Sequence, residues 1–336
     1  MRILLVLLAV AWAGCDDDTA PADLGGVDLP VQIDQATPDL TASGPSAARG
    51  EYLVKSLLIC GDCHTTPNGM GQPDPTKFLA GGRAFDFPAQ VDGGLGHVYA
   101  ANLTPDQTSG LGSWTASNIV DALTVGVDKD GLPLFPIMPY YMFGNLSDDD
   151  AMSIALYLQS IPAISNVVPK NNVQVPQAST RIDDTQIPHT ALPSTDPGFA
   201  SAERGRYLVK VSCIECHTKH NAPGAASVID LAKAFAGGET FQIGPNKIPS
   251  ANLTPHATGL GGWTPAEIAA TLKTDQERGV GRMLCPPMPG GTGRLGGLTD
   301  PDLNDIANFL HTLAPIQNGP FGCTDAGIPY GVPDGG

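Results

Sequence analysis

Apolar residues return at three- and four-residue intervals, bounded by capping residues, in three places in each half of the chain. The first helix of each set leads into a cysteine pair and is expected over about 47–60 and 200–213. The second begins at a Trp-Thr pair. Its clearest form is Thr264-Pro-Ala-Glu267, a Thr N-cap with Pro at the first helical position and Glu at the third. The third begins at Ser147-x-x-Asp150 or Thr299-x-x-Asp302 and carries Ile154, Tyr157 and Leu158, or Ile306, Phe309 and Leu310. No stretch of any length alternates apolar with polar residues, so no strand is expected. The pattern predicts a small all-α arrangement in each half, with helices joined by long loops. Composition agrees: 40 Gly and 31 Pro supply loops, while aromatics are only 6% of residues. Side chains alone would fill only a small core, and a buried planar cofactor would supply the missing apolar bulk.

The helices recur because the chain is duplicated. Ala48-Arg-Gly-Glu-Tyr-Leu-Val-Lys55 returns as Glu203-Arg-Gly-Arg-Tyr-Leu-Val-Lys210. Leu79-Ala-Gly-Gly82, Ala101-Asn-Leu-Thr-Pro105 and Gly110-Leu-Gly-Ser-Trp-Thr115 return as Phe235-Ala-Gly-Gly238, Ala251-Asn-Leu-Thr-Pro255 and Gly259-Leu-Gly-Gly-Trp-Thr264. Offsets stay between 149 and 156 residues, so the repeat is one long domain rather than a solenoid unit. The expected organisation is a leader over 1–14, an acidic, Pro-rich tether over 15–45, and one domain over 46–162. A connection over 163–197 carries five prolines; a second domain over 198–314 and a Gly/Pro tail over 315–336 follow.

Each copy contains one pentapeptide of the form C-x-x-C-H: Cys60-Gly-Asp-Cys63-His64 and Cys213-Ile-Glu-Cys216-His217. This is the attachment signature of c-type haem. Two thiols on one helical turn can each add to a porphyrin vinyl group, and the adjacent histidine then lies under the ring as an iron ligand. Two copies predict two covalently bound c-type haems. The second axial position has a candidate in each copy, Met138 in Phe-Pro-Ile-Met-Pro and Met288 in Cys-Pro-Pro-Met-Pro. Flanking prolines stiffen these loops and remove backbone donors. Met142 and Met283 are neighbours without counterparts. His/Met ligation closes the iron and raises its potential relative to His/His. Trp114 and Trp263 fit either core packing or a bond to a propionate, whereas Asn102/Thr104 and Asn252/Thr254 read as loop fasteners.

The N-terminus is a single charge, Arg2, followed by the apolar run Ile3–Ala13, too short to span a bilayer and suited to a signal peptide. It ends Trp12-Ala13-Gly14-Cys15, which resembles a bacterial lipobox and makes Cys15 a candidate for lipidation. Ordinary cleavage nearby is the alternative. Either reading exports the protein into a compartment that permits disulfides, with a lipid holding it to the periplasmic side of a membrane. Setting aside the haem and lipid cysteines leaves Cys285 and Cys323. They are either unpaired or a disulfide closing a loop of about 38 residues, valued at about 4 kcal/mol in the chain-entropy picture. The net charge of −16 excludes nucleic acid as a probable class of partner and suits a basic patch on a redox protein, or simple solubility.

Taken together these motifs resemble the class I cytochrome c superfamily, and more specifically the multihaem cytochrome c subunits of periplasmic alcohol and gluconate dehydrogenases. The resemblance covers about 46–162 and 198–314. It implies two tandem class I cytochrome c-like domains, with Cys60, Cys63, His64 and Met138 holding one haem and Cys213, Cys216, His217 and Met288 the other. It also implies an electron carrier rather than an enzyme, exchanging electrons with a dehydrogenase, another cytochrome or a terminal oxidase. Those subunits commonly carry three haem domains and a membrane anchor, whereas this chain shows two haem motifs. A dihaem peroxidase with one open iron is the competing enzyme reading. A zinc protein built on the four motif cysteines is the competing structural one.

Overall fold

The computed structural model describes residues 44–68, 73–87, 96–173, 181–221, 229–243, 246–279, 281–285, 287–288 and 295–321. Cys15, Cys323 and the expected leader and tail cysteine pairing partner therefore lie outside the described residues, as does nearly all of the tether. No helix among the described residues is long and apolar enough to cross a membrane.

In the first half, α1 (Ala47–Tyr52) opens on Ser46, whose hydroxyl accepts the Arg49 N–H. It runs on as a π-helical turn, Leu53–Leu57. A short α2 (Gly61–His64) carries the pentapeptide. Then come β1 (Ala84–Phe87), β2 (Gly96–Tyr99), α3 (Ala116–Thr124), α4 (Tyr140–Phe143) and α5 (Asp148–Ser160). The second half has α6 (Phe199–Ser212), β3 (Thr240–Ile243), β4 (Asn246–Pro249), α7 (Pro265–Thr274) and α8 (Asp300–Thr312). The fold is thus mostly helical, and the expectation of no strands needs correcting. Each half holds an antiparallel hairpin, with Ala84 opposite Tyr99 and Thr240 opposite Pro249. Four-residue strands are too short for alternation to register in the sequence.

The expected helix starts are in place for physical reasons. Thr115 and Thr264 each close a reciprocal capping box, with Asn118 and Glu267. Ser147 and Thr299 accept the N–H of Asp150 and Asp302. In each half the first helix packs on the last, α1 on α5 and α6 on α8. Glycine makes that approach possible. A Cβ on Gly50 would stand 1.9 Å from the Ser153 carbonyl oxygen, and one on Gly205 the same distance from that of Asp305.

One hydrophobic core joins the halves, running from Leu53 and Leu57 through Tyr140 and Ile154 to Leu208 and Phe309. The polar contacts across the join are reciprocal. Tyr207 Oη donates to Asp150 Oδ2 at 2.7 Å and accepts the Ser147 N–H. Tyr52 Oη donates to Asp302 and accepts the Thr299 N–H. The equivalent tyrosine of each half therefore caps the last helix of the other. Part of the connecting segment is fixed between them: Ile182 N donates to Tyr141 O, and Asp184 takes the buried Arg206 and Lys210 of α6.

Candidate functional site

The two pentapeptides fold into the same turn. His64 N donates to Cys60 O at 2.9 Å and His217 N to Cys213 O at 3.0 Å. One helical turn thus separates the first cysteine from the histidine, which brings both sulfurs and the imidazole to one side. Each ring is then aimed by a bond on its far nitrogen. His64 Nδ1 lies 2.8 Å from Ala101 O, and His217 Nδ1 lies 2.8 Å from Ala251 O. A carbonyl can only accept, so Nδ1 carries the proton and Nε2 keeps its lone pair, the arrangement a metal-ligating imidazole needs. Burial pushes both imidazoles down from their ordinary value, which keeps them neutral.

The carbonyl that aims each ring belongs to the Asn-Leu-Thr loop, and that loop is fastened identically twice. Asn102 Oδ1 accepts the Thr104 N–H and hydroxyl while Nδ2 donates to Ile164 O. Asn252 does the same with Thr254 and Ile316 O. Leu103 N donates to Leu79 O and Leu253 N to Phe235 O, both at 2.8 Å. Leu79 and Phe235 have φ of 61° and 62°, an uncommon conformation for such residues and a strain that the surrounding bonds must hold. The hydroxyls of Thr65 and Thr218, the residues after the histidines, accept the N–H groups of Leu79 and Phe235. The glycines that follow turn left-handed, and Gly81 N and Gly237 N close back on His64 O and His217 O at 2.8 Å.

The sequence pattern misses the straps that complete this frame. Asn166 donates to Ala80 O and Asn318 to Ala236 O, binding the chain beyond α5 and α8 to the loop beneath the histidine. Ile164-Ser-Asn166 and Ile316-Gln-Asn318 repeat at the same 152-residue offset as Asp150 and Asp302, so the signal is present in the sequence.

Cys60 and Cys213 are half-buried and pack on the core, as do Met138 and Met288. The methionine loops match: Met138 N donates to Phe135 O at 3.2 Å and Met288 N to Cys285 O at 3.1 Å. Of the spare methionines, Met142 is buried and Met283 is exposed. Cys285 is disulfide-bonded. Trp114 and Trp263 pack partly buried against the core, with the Arg278 guanidinium 4.6 Å above the Trp263 ring.

Cys63 and Cys216 are both exposed to solvent. Burial pushes the Cys216 thiol up to about 12, with Glu215, Cys213, Cys63 and Glu239 adding to the shift. Burial likewise pushes Cys60 up to about 12 and Cys213 to about 11. Among the described residues no three His, Cys, Asp or Glu side chains converge on a metal site of their own. Two thiols, an oriented neutral imidazole and a core-packed methionine in each half are residue types that fit a covalently attached haem.

Comparison with known proteins agrees. The family model for cytochrome c matches residues 202–314. The chain is 30% identical over 306 residues to the fructose dehydrogenase cytochrome subunit of Gluconobacter japonicus, an alignment covering 86% of this chain and 57% of that protein. It is 28% identical over 311 residues to the gluconate 2-dehydrogenase cytochrome c subunit of Pantoea cypripedii, covering 83% and 62%. With a diheme c-type cytochrome of Cereibacter sphaeroides it shares 25% over 284 residues, covering 81% and 87%. The chain spans somewhat more than half the length of the dehydrogenase subunits it matches most strongly. Those relatives are named as cytochrome subunits of dehydrogenases rather than as their catalytic subunits, and a cytochrome c domain is present in this chain over residues 202–314.

Proposed function

We propose that the chain is an exported dihaem c-type cytochrome that relays electrons from a dehydrogenase-type donor to a respiratory-chain acceptor. In this reading 46–162 and 198–314 are tandem cytochrome c-like domains. The first attaches haem through Cys60 and Cys63, the second through Cys213 and Cys216. His64 with Met138, and His217 with Met288, ligate the irons. The leader directs export to the periplasmic side of a membrane, where a lipid on Cys15 tethers the chain.

The observation that carries the proposal is the pair of equal 2.8 Å bonds from His64 to Ala101 and from His217 to Ala251, each inside the same set of fastened loops. Each bound haem supplies one reversible one-electron site. The protein's part is to hold each imidazole by its Nδ1 proton and keep the methionine loop stiff. The cytochrome subunits of fructose, alcohol and gluconate dehydrogenases among the relatives support a dehydrogenase as donor.

The test is haem stoichiometry of the exported protein by pyridine haemochrome and intact mass. Two haems per chain are expected, falling to one in the Cys60→Ala/Cys63→Ala variant. One haem in the wild-type chain would remove the relay; none would remove the assignment.

A further inference from the structure

The two histidine turns are built alike but charged differently. The residue before the second cysteine is acidic in both, Asp62 and Glu215. What stands against it differs. In the first half the residue after the Ala-Gly-Gly turn is Arg83, whose guanidinium Nη1 donates to the Asp62 carbonyl and stacks 5.3 Å from the Phe85 ring. In the second half the same position is Glu239. Its carboxylate accepts the His220 N–H at 3.0 Å, and His220 stands between Glu239 at 3.4 Å and Glu215 at 3.2 Å. His220 occupies the place of Pro67, so the first half has no counterpart for it.

At these matched positions the formal charges are therefore one negative and one positive in the first half, against two negative and at most one positive in the second. Several observations keep the second set charged. Tyr141 Oη, from the first half, donates to Glu215 Oε1 at 2.5 Å and stabilises the carboxylate. The same oxygen lies 3.2 Å from His220 Nε2, an ion pair that favours the ionised carboxylate. Burial pushes Glu239 up, but its bonds to His220 outweigh that and hold it below the ordinary carboxylate value. Lys219 also lies nearby, but its exposed ammonium is screened by water.

An oxidised iron carries one more positive charge than a reduced one, so neighbouring carboxylates favour the oxidised state and lower the potential, while a guanidinium does the reverse. We propose that Glu215 and Glu239 make the second-half haem the lower-potential member of the pair and Arg83 makes the first-half haem the higher, so that electrons run from the second half to the first. The proposal rests on the two-haem reading above. One electron moves, the second half being oxidised and the first reduced, with no bond made or broken and no proton transferred.

The test is an optical redox titration of the holoprotein at fixed pH and ionic strength, after its haem content has been measured. Two waves are expected. Glu239→Gln should move the lower wave upward and Arg83→Gln should move the upper wave downward, each leaving the other wave nearly in place. The Cys60→Ala/Cys63→Ala protein should keep the lower wave and the Cys213→Ala/Cys216→Ala protein the upper one. If either single-haem protein fails to fold, the two charge variants still decide the matter. Two haems whose waves answer in the opposite order, or do not answer, overturn this proposal alone. A single haem per chain overturns it together with the two-haem reading.

Discussion

The two halves enter the same histidine turn by different routes. In the second half α6 runs unbroken to Ser212, and the pentapeptide follows at once. In the first half Lys55 lies five residues before Cys60, whereas Lys210 lies three before Cys213. The two additional residues are taken up by the π-helical turn at Leu53–Leu57, where Leu58 N bonds Leu53 O at 2.8 Å, and by Ile59 at φ 45°. A β-branched residue in the left-handed region is strained by about 1–3 kcal/mol. Beyond that point the halves coincide again: the turn, the His Nδ1–carbonyl bond and the fastened loop are the same. The lead-in helix can therefore vary, while the turn and the carbonyl that aims the ring stay fixed.

The comparison is broken most severely at Asp150 and Asp302, which hold the same position in the two halves. Asp150 is fully buried and takes both Arg49 Nε at 2.8 Å and Arg49 Nη2 at 2.9 Å, besides Tyr207. Asp302 bonds Tyr52, but the corresponding arginine, Arg204, has turned to Asp305. Its Oδ1 is buried without a hydrogen bond, and burial holds its carboxyl above the ordinary value. Asp150→Asn leaves a buried guanidinium without its counter-charge and should cost about 3 to 5 kcal/mol in urea unfolding. Asp302→Asn removes a charge that no cation bonds and should cost about 1 kcal/mol or less. The pH behaviour separates them further. A carboxyl raised in the folded state binds its proton more tightly there than in the unfolded chain. Its contribution is thus fully present below the unfolded value and lost as pH rises through the folded one. Asp302→Asn should therefore gain on the wild type as pH rises from the acid range. Equal costs at the two positions would show that the arginine swap is energetically silent.

The paired motifs made much of this architecture legible. C-x-x-C-H-T and N-L-T-P are short segments whose side chains bond within a few residues of themselves or of each other, so they leave a fixed signature. The hairpins left none because strands of four residues carry no period. The π turn was marked only by the step in offset from 155 at Lys55 to 153 at Cys60. The Tyr141–Glu215–His220–Glu239 cluster was invisible for a different reason. It unites three distant segments, and two of its members have no like counterparts to draw attention to them: Pro67 replaces His220 and Arg83 replaces Glu239. Duplication reveals what the halves share and hides what distinguishes them.

A smaller effect should be equal in the two halves. Gly50 and Gly205 lie where the first helix crosses the last, each against a backbone carbonyl that cannot rotate away. Gly50→Ala and Gly205→Ala should each destabilise by about 1 to 3 kcal/mol or more, because the helix pair must separate to admit one methyl. The gain in helix propensity, at most about 1 kcal/mol, does not offset this. Matching losses in urea midpoint are expected. A neutral Gly50→Ala beside a damaging Gly205→Ala would mean that the π turn lets α1 yield where α6 does not.

The smallest difference lies in the capping boxes of α3 and α7, and pH should expose it. Thr115 pairs with the neutral Asn118, whose Oδ1 accepts the Thr115 N–H at 3.1 Å. Thr264 pairs with Glu267, whose carboxylate accepts the Thr264 N–H at 2.8 Å and hydroxyl at 3.0 Å. Arg278 holds the other carboxylate oxygen at 2.5 Å. The Thr264 N–H and Arg278 lower Glu267 below its ordinary value. Such a group adds stability above the unfolded value, and that stability fades as pH falls through the folded one. Near neutral pH, Thr115→Ala and Thr264→Ala should each cost about 1 kcal/mol by loss of the cap. On acidification the Thr264→Ala cost should shrink, since its hydroxyl then faces a protonated carboxyl rather than a carboxylate, while the Thr115→Ala cost should stay level. Urea unfolding of both variants across the acid range measures this directly. A Thr264→Ala cost that does not change with pH would mean that Glu267 acts in the box as a neutral acceptor, no differently from Asn118.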